Sequence, residues 1–211
     1  MTPPFPTLTA LCGSICSLLL FQSTALSGPD ALSISDESKK RLETGEAVIL
    51  SGPEGGERKA LAAIIVPYPA AAIWEVLDDK ESGVEWVDGL RAARVVEEFE
   101  GYTLVYQELK VGFLPGTFKY VIRHIPTEFE RRIDFRRESG AFKSVDGYWI
   151  LSPMEDPSRT LVLYQLHIDP GVPIPAVVIR NSLQKTLPNA LTGLRQQVAK
   201  VEAAKEEEKA P

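Results

Sequence analysis

Beyond Cys16 this 211-residue chain has no cysteine; Cys12 and Cys16 are the two it carries. Everything C-terminal to them is therefore without disulfides, thiol nucleophiles and thiolate metal ligands. Histidine is almost as scarce. His124 and His167 stand apart, with no acidic cluster beside either, and that is not a metal-ligand spacing. A Gly-rich phosphate loop, a nucleophile elbow and an HExxH helix are all missing. Positive charge is in deficit, since 23 Lys and Arg against 29 Asp and Glu leave a net charge of -6 and a pI of about 5.1. Such a balance excludes sequence-independent nucleic-acid binding. It also excludes recruitment to anionic lipid by charge alone. The sequence has no internal repeat.

The first 29 residues lack charged side chains altogether. Leu8 to Phe21 is mostly apolar, and small residues dominate from Gln22 to Ser27. That order matches a secretory leader cleaved near Ala25 or Ser27, although the α-amino group alone supplies its positive charge. The expected location is outside the cytoplasm, in the periplasm. An uncleaved N-terminal membrane anchor is the alternative, for which the run is short and interrupted by polar residues. A lipoprotein would need a small residue before its cysteine, and Leu11 and Ile15 stand there. The expected division is a leader over 1–27, a linker with a short helix over 28–45, one domain over 46–201 and a charged tail over 202–211.

What the chain does have is strand-like alternation followed by one long helix. Asp36 to Thr44 reads as a short charged helix ended by Gly45, with a strand from Glu46 to Leu50. A turn at Ser51–Gly56 leads to a strand over Lys59–Val66. Pro69 suits the first turn of a helix over Ala70–Asp79, and a second short helix runs through Trp86. Six strands follow on short turns: Ala92–Glu100, Tyr102–Val111, Thr117–Ile125, Phe129–Glu138, Phe142–Leu151 and Thr160–Asp169. Short connections make them an antiparallel meander. After three prolines between Asp169 and Pro175, apolar residues at Ile179, Leu183, Leu187, Leu191, Leu194 and Val198 mark one helical face over Ala176–Val201, with Pro188 inside it. The economical arrangement is α+β, a curved antiparallel sheet whose open face the last helix covers.

Three stretches resemble the START-like helix-grip (SRPBCC) superfamily, which includes the birch pollen allergen fold, coenzyme Q-binding START-like proteins and the polyketide cyclase/dehydrase group. Val66-Pro67-Tyr68-Pro69 followed by Ala70 to Asp79 is similar to its opening helix. Ser139 to Leu151 is similar to its GxFxxxxGxWxL strand, and Thr160 to Tyr164 to the strand before the Pro-rich approach to the last helix. The likeness spans roughly 47–201. The chain lacks the proline often found after the second short helix, where it has Val84 to Gly89. The resemblance implies an apolar cavity between sheet and helix that binds lipids, quinones or other hydrophobic molecules. It does not name the ligand.

Alternation along the strands selects what could line such a cavity. Phe118, Tyr120, Ile122 and His124 share one parity, with Lys119 and Arg123 on the other. Thr160, Val162, Tyr164, Leu166 and Ile168 lie opposite Gln165 and His167. Trp149 and Leu151 face inward, whereas Glu108 and Lys110 on the parity of Tyr106 argue against an inward Tyr106. With Trp86 near the rim, the candidate ligand-binding set is Trp86, Phe118, Tyr120, Trp149, Tyr164, Leu183 and Leu187. Each aromatic also reads simply as core with a hydrogen-bonded polar tip. His124 and Tyr164 are the weak catalytic candidates, and a lone histidine near a strand end is more simply structural. Arg131, Arg132, Arg136 and Arg137, interleaved with Glu130, Asp134 and Glu138, read as a solvated strand face.

These readings expect a non-enzymatic binder of a hydrophobic small molecule or lipid, with no metal, no cofactor, no nucleic acid and at most transient membrane contact. Leu187→Arg is expected to lower uptake more than stability. Two alternatives stay open. One is a polyketide cyclase or dehydrase using the same cavity; the other is a cell-envelope interaction module meeting a partner through its charged strand face.

Overall fold

The computed structural model describes residues 34–50, 58–111 and 116–209. The expected leader and both cysteines, the Ser51–Gly56 turn and residues 112–115 of the turn before Thr117 lie outside them. The described chain runs α1 (Asp36–Glu43), β1 (Val48–Ile49), β2 (Lys59–Val66), α2 (Ala70–Asp78), α3 (Gly83–Trp86), β3 (Leu90–Phe99), β4 (Tyr102–Leu109), β5 (Phe118–Thr127), β6 (Arg132–Gly140), β7 (Ser144–Pro153), β8 (Thr160–Asp169) and α4 (Ala176–Lys209). The strands form one antiparallel sheet in the order β1-β2-β8-β7-β6-β5-β4-β3. Strands β3 to β8 are the expected meander, and β2 joins its far edge by pairing with β8 along its whole length. The curved sheet with α4 across it is the helix-grip arrangement.

Strand β2 is buried on both faces, and its composition (Lys-Ala-Leu-Ala-Ala-Ile-Ile-Val) fits that position. Ala60, Ala62, Ile64 and Val66 join the main core under α4. Ala63 and Ile65 point the other way and pack with Leu42 of α1 and Val48 of β1. On α4, Ile179, Leu183, Leu187, Leu191, Leu194 and Val198 are buried, as their spacing requires. Pro188 lies inside the helix, so the carbonyl one turn before it has no backbone donor from that position.

Several boundaries differ from the sequence reading, those of β6, β7 and α4 among them. Strand β6 starts at Arg132 because Glu128–Glu130 forms a 3-10 turn and Arg131 takes a left-handed conformation (φ 48°). That turn leaves Phe129 in solvent. Strand β7 starts at Ser144, so Phe142 sits in the β6–β7 connection. Helix α4 runs on to Lys209 instead of ending near Val201. Lys205 there bonds Glu75 of α2 at 2.6 Å and, within the helix, Glu202 at 3.0 Å.

Candidate functional site

Between the inner face of the sheet and the first half of α4 lies a cavity of about 230 Å3. Strand alternation builds its wall. From β4 come Val105, Gln107 and Leu109; from β5, Tyr120, Ile122 and His124; from β7, Val145 and Trp149; from β8, Tyr164, Leu166 and Ile168. Ile174 of the Pro-rich segment and Ile179, Ser182, Leu183 and Thr186 of α4 close the other side.

The aromatic part of the wall is ordered by register. Trp149 and Tyr164 are cross-strand partners in β7 and β8, and their rings stack at 3.7 Å with 4° between planes. Trp86 meets Trp149 edge-on at 6.1 Å. Tyr120 meets Phe142 edge-on at 5.0 Å, and Phe135 tilts against Tyr164 at 6.2 Å. Two glycines make room for these rings. A Cβ on Gly147 would stand 2.0 Å from the Gln165 carbonyl oxygen and 2.6 Å from the Phe135 ring. A Cβ on Gly193 would stand 2.3 Å from the Trp86 carbonyl oxygen, so α3 approaches α4 only because that position is bare. The approach is tied by Glu85, which accepts from Lys200 at 2.6 Å and Gln197 at 3.2 Å. Lys200 and then Gln197 hold the Glu85 carboxyl below its ordinary range.

Of the candidate residues, Trp86, Tyr120, Trp149, Tyr164 and Leu183 line the cavity, as does His124. Phe118 and Leu187 do not. Phe118 stacks behind Phe142 at 4.7 Å, and Phe142 is the ring that reaches the cavity. Leu187 is fully enclosed in the solid core, so Leu187→Arg is a folding defect and not a cavity variant. Parity assigns a side of the sheet or helix but not whether a neighbour stands in front. Gln107 was accessible to the same alternation once Tyr106 was turned outward. Phe142 was not, because it lies outside a strand.

Polar groups in the wall are few. Burial pushes the hydroxyls of Tyr120 and Tyr164 well above their ordinary pKa, with the neighbouring Tyr164 adding to the effect on Tyr120. Both stay neutral. Burial first, and Lys80 second, lower the His124 imidazole to about 4, against opposing contributions from Asp78 and the Leu77 backbone. His124 is therefore uncharged at neutral pH, and its Nδ1 is sealed without a partner, as is Trp86 Nε1. Charged lining residues keep to the margin: Asp79, Asp88 and Lys110 are exposed, and Lys80 bonds Asp78 at 3.1 Å.

On the outer face the charges pair as a solvated ladder. Arg132 makes two bonds to Asp134, at 2.7 and 2.6 Å, and lies over the Tyr148 ring. Arg123 reaches Glu138 at 2.7 Å and covers Tyr102. Arg137 turns back to the Gly140 carbonyl at 2.9 Å.

Residues 66–195 match the family described as polyketide cyclase / dehydrase and lipid transport. Several solved structures share the fold. A START superfamily protein from Mycobacterium smegmatis superposes with a TM-score of 0.61 at 15% identity, over 68% of this chain and 98% of that one. A STAR-related lipid transfer protein from Xanthomonas axonopodis gives 0.60 at 18%, over 72% and 92%. The Zhui aromatase/cyclase from Streptomyces sp. R1128 gives 0.56 at 18%, over 67% and 93%. No curated protein sequence matches the chain.

Proposed function

The chain belongs to the polyketide cyclase / dehydrase and lipid transport family, and from that premise we propose that it binds one hydrophobic small molecule in the cavity under α4, for transport or sequestration and without chemical turnover. The observation that carries the reading is the cavity itself. About 230 Å3 of space is held open by rings that are fixed by register and stacking. A protein core ordinarily leaves few voids larger than a water molecule. The volume is somewhat below the ~300–1,000 Å3 of typical ligand clefts, which favours a compact or slender molecule. A cyclase or dehydrase would need an interior acid or base with a partner to orient it. His124 Nδ1 has none among the described residues, so binding is the better-supported reading. The uncharged N-terminal leader leads us to propose that this binding happens outside the cytoplasm.

Titration with N-phenyl-1-naphthylamine, a neutral apolar fluorophore, tests the reading. Saturable 1:1 binding is expected for the full chain. Ser182→Phe, at a half-buried position on the α4 side of the cavity, should weaken it at least tenfold with little change in the thermal midpoint. Equal binding by wild type and variant would place the fluorophore elsewhere and remove the cavity from the function.

A further inference from the structure

The outer face of the sheet, turned away from α4 and the cavity, carries a polar cleft of its own. Register places Asp134, Tyr148 and Gln165 in one cross-strand row over β6, β7 and β8, and Arg136, Asp146 and His167 in the next row. A shallow cleft, open to solvent, is lined by all of these except His167. Residues on one face recur about 7 Å apart along a strand, and neighbouring strands lie about 4.8 Å apart. The two rows therefore cover roughly 7 by 10 Å.

Gln165 supplies the buried group of this cleft. It is only 7% exposed, yet its side-chain amide makes no hydrogen bond among the described residues. Neither amide atom belongs with the sealed, unpartnered ones, which are Trp86 Nε1, His124 Nδ1 and Arg137 Nε. The amide thus opens into the cleft with a donor and an acceptor unused. A polar group so enclosed is costly until something satisfies it.

The groups around Gln165 set the chemistry of that partner. Arg136 and Asp146 are direct cross-strand partners of opposite charge, but they do not bond each other. Among the described residues the Arg136 side chain has no hydrogen bond or ion pair, and the Asp146 side chain meets only His167 Nδ1, at 2.9 Å. A hydroxyl group can accept from the guanidinium while it donates to the carboxylate, and so bridges the two. Asp134 is matched by Arg132, which also lies over the Tyr148 ring and steadies it. No hydrogen bond engages the Tyr148 hydroxyl among the described residues. Two arginines balance two aspartates here, so an anion drawn to Arg136 meets both carboxylates, and a cation drawn to them meets both guanidinium groups.

We propose that this cleft binds a neutral saccharide, whose hydroxyls bridge Arg136 to Asp146 and satisfy the Gln165 amide and the Tyr148 hydroxyl. Two rows of alternating donors and acceptors match the spacing of hydroxyls around one or two sugar rings. The site is separate from the cavity, and its occupancy does not depend on what the cavity holds.

Calorimetric titration of the full chain at pH 7 tests this with maltotetraose, cellotetraose and chitotetraose as neutral probes, tetragalacturonate as an anion and tetraglycine as a zwitterion. At least one neutral tetrasaccharide should bind 1:1 with a Kd of roughly 1 mM or tighter. Gln165→Leu keeps the side-chain size and removes the amide, and it should weaken that binding about fivefold or more, the effect of one net hydrogen bond. Arg136→Gln, at an exposed position, should weaken it similarly and leave the thermal midpoint unchanged. Both variants should keep the wild-type affinity for the fluorophore, which reads the other side of the sheet. If Gln165→Leu does not fold, Arg136→Gln carries the test. Absence of binding by all three neutral tetrasaccharides, wild-type saccharide affinity in the folded variants, or tightest binding of tetragalacturonate or tetraglycine would overturn the proposal. Each of those results leaves the cavity reading standing, because the fluorophore tests it separately.

Discussion

Single residues here do opposite kinds of work according to whether they keep space open or fill it. Gly147 and Gly193 act by what they lack, since a Cβ at either would collide with backbone carbonyl oxygen. His124 fills space and pays no visible hydrogen-bond dividend at Nδ1. Its depressed pKa has a consequence for stability with a definite sign. Above pH 6.5 the ring is neutral in both folded and unfolded chains. As pH falls below 6.5 the unfolded chain takes up a proton that the folded protein refuses, and stability drops until about pH 4, where the folded ring is protonated too. The loss across that window is on the order of 3 kcal/mol. In urea unfolding at pH 7 and pH 4.5, wild type should lose more stability between the two than His124→Gln does. Equal losses would mean that other groups drive the acid sensitivity.

At the scale of elements, α4 is held by two unlike kinds of contact. Its apolar stripe enters the core over β2, where Leu194 is fully enclosed. Its polar ties run to α2 through Lys205 and Glu75, to α3 through Lys200 and Glu85, and to the Gly45 carbonyl through Arg195. The Lys205–Glu75 pair is largely solvated, and exposed pairs contribute little because water and salt screen them. Leu194→Ala should therefore cost about 2–5 kcal/mol in urea unfolding, whereas Lys205→Ala should leave the urea midpoint unchanged within error. A large effect of Lys205→Ala would mean that the last turns of α4 fold cooperatively with the rest. Leu183 and Leu187 are one turn apart on that helix yet differ in role, since Leu183 lines the cavity and Leu187 is enclosed in the core while Thr186 and Ala190 on either side of it reach the cavity.

For the whole molecule, the described residues make one sheet-and-helix unit from Ile34 onward, and none of their helices is long and apolar enough to cross a membrane. The proposal of export rests on the uncharged N-terminal segment. Expressed from its full sequence in a Gram-negative host, the protein should appear in the periplasmic fraction, with a new N-terminus near residue 26 or 28 found by sequencing. Retention of Met1 in a membrane fraction would favour the anchor, and retention in the cytoplasm would remove the proposal.

Much of the architecture was legible along the chain because it depends on short-range periodicity. The steps of three and four from Ile179 to Val198 make α4 amphipathic wherever it lies, and period-two alternation sets inner and outer faces of β5, β7 and β8. The proline and glycine breaks between strands left an antiparallel meander as the simple arrangement. The two-sided burial of β2, the seat that Gly193 makes for Trp86 and the stacking of Trp149 on Tyr164 arose only in the tertiary structure, because each depends on segments far apart in sequence. The same holds for the cavity wall. Parity directed Phe118 and Leu187 inward correctly, but three-dimensional packing put Phe142 in front of the first and solid core around the second. Periodicity gives a side chain its direction, and only the arrangement of distant neighbours decides whether that direction ends in a space or in another side chain.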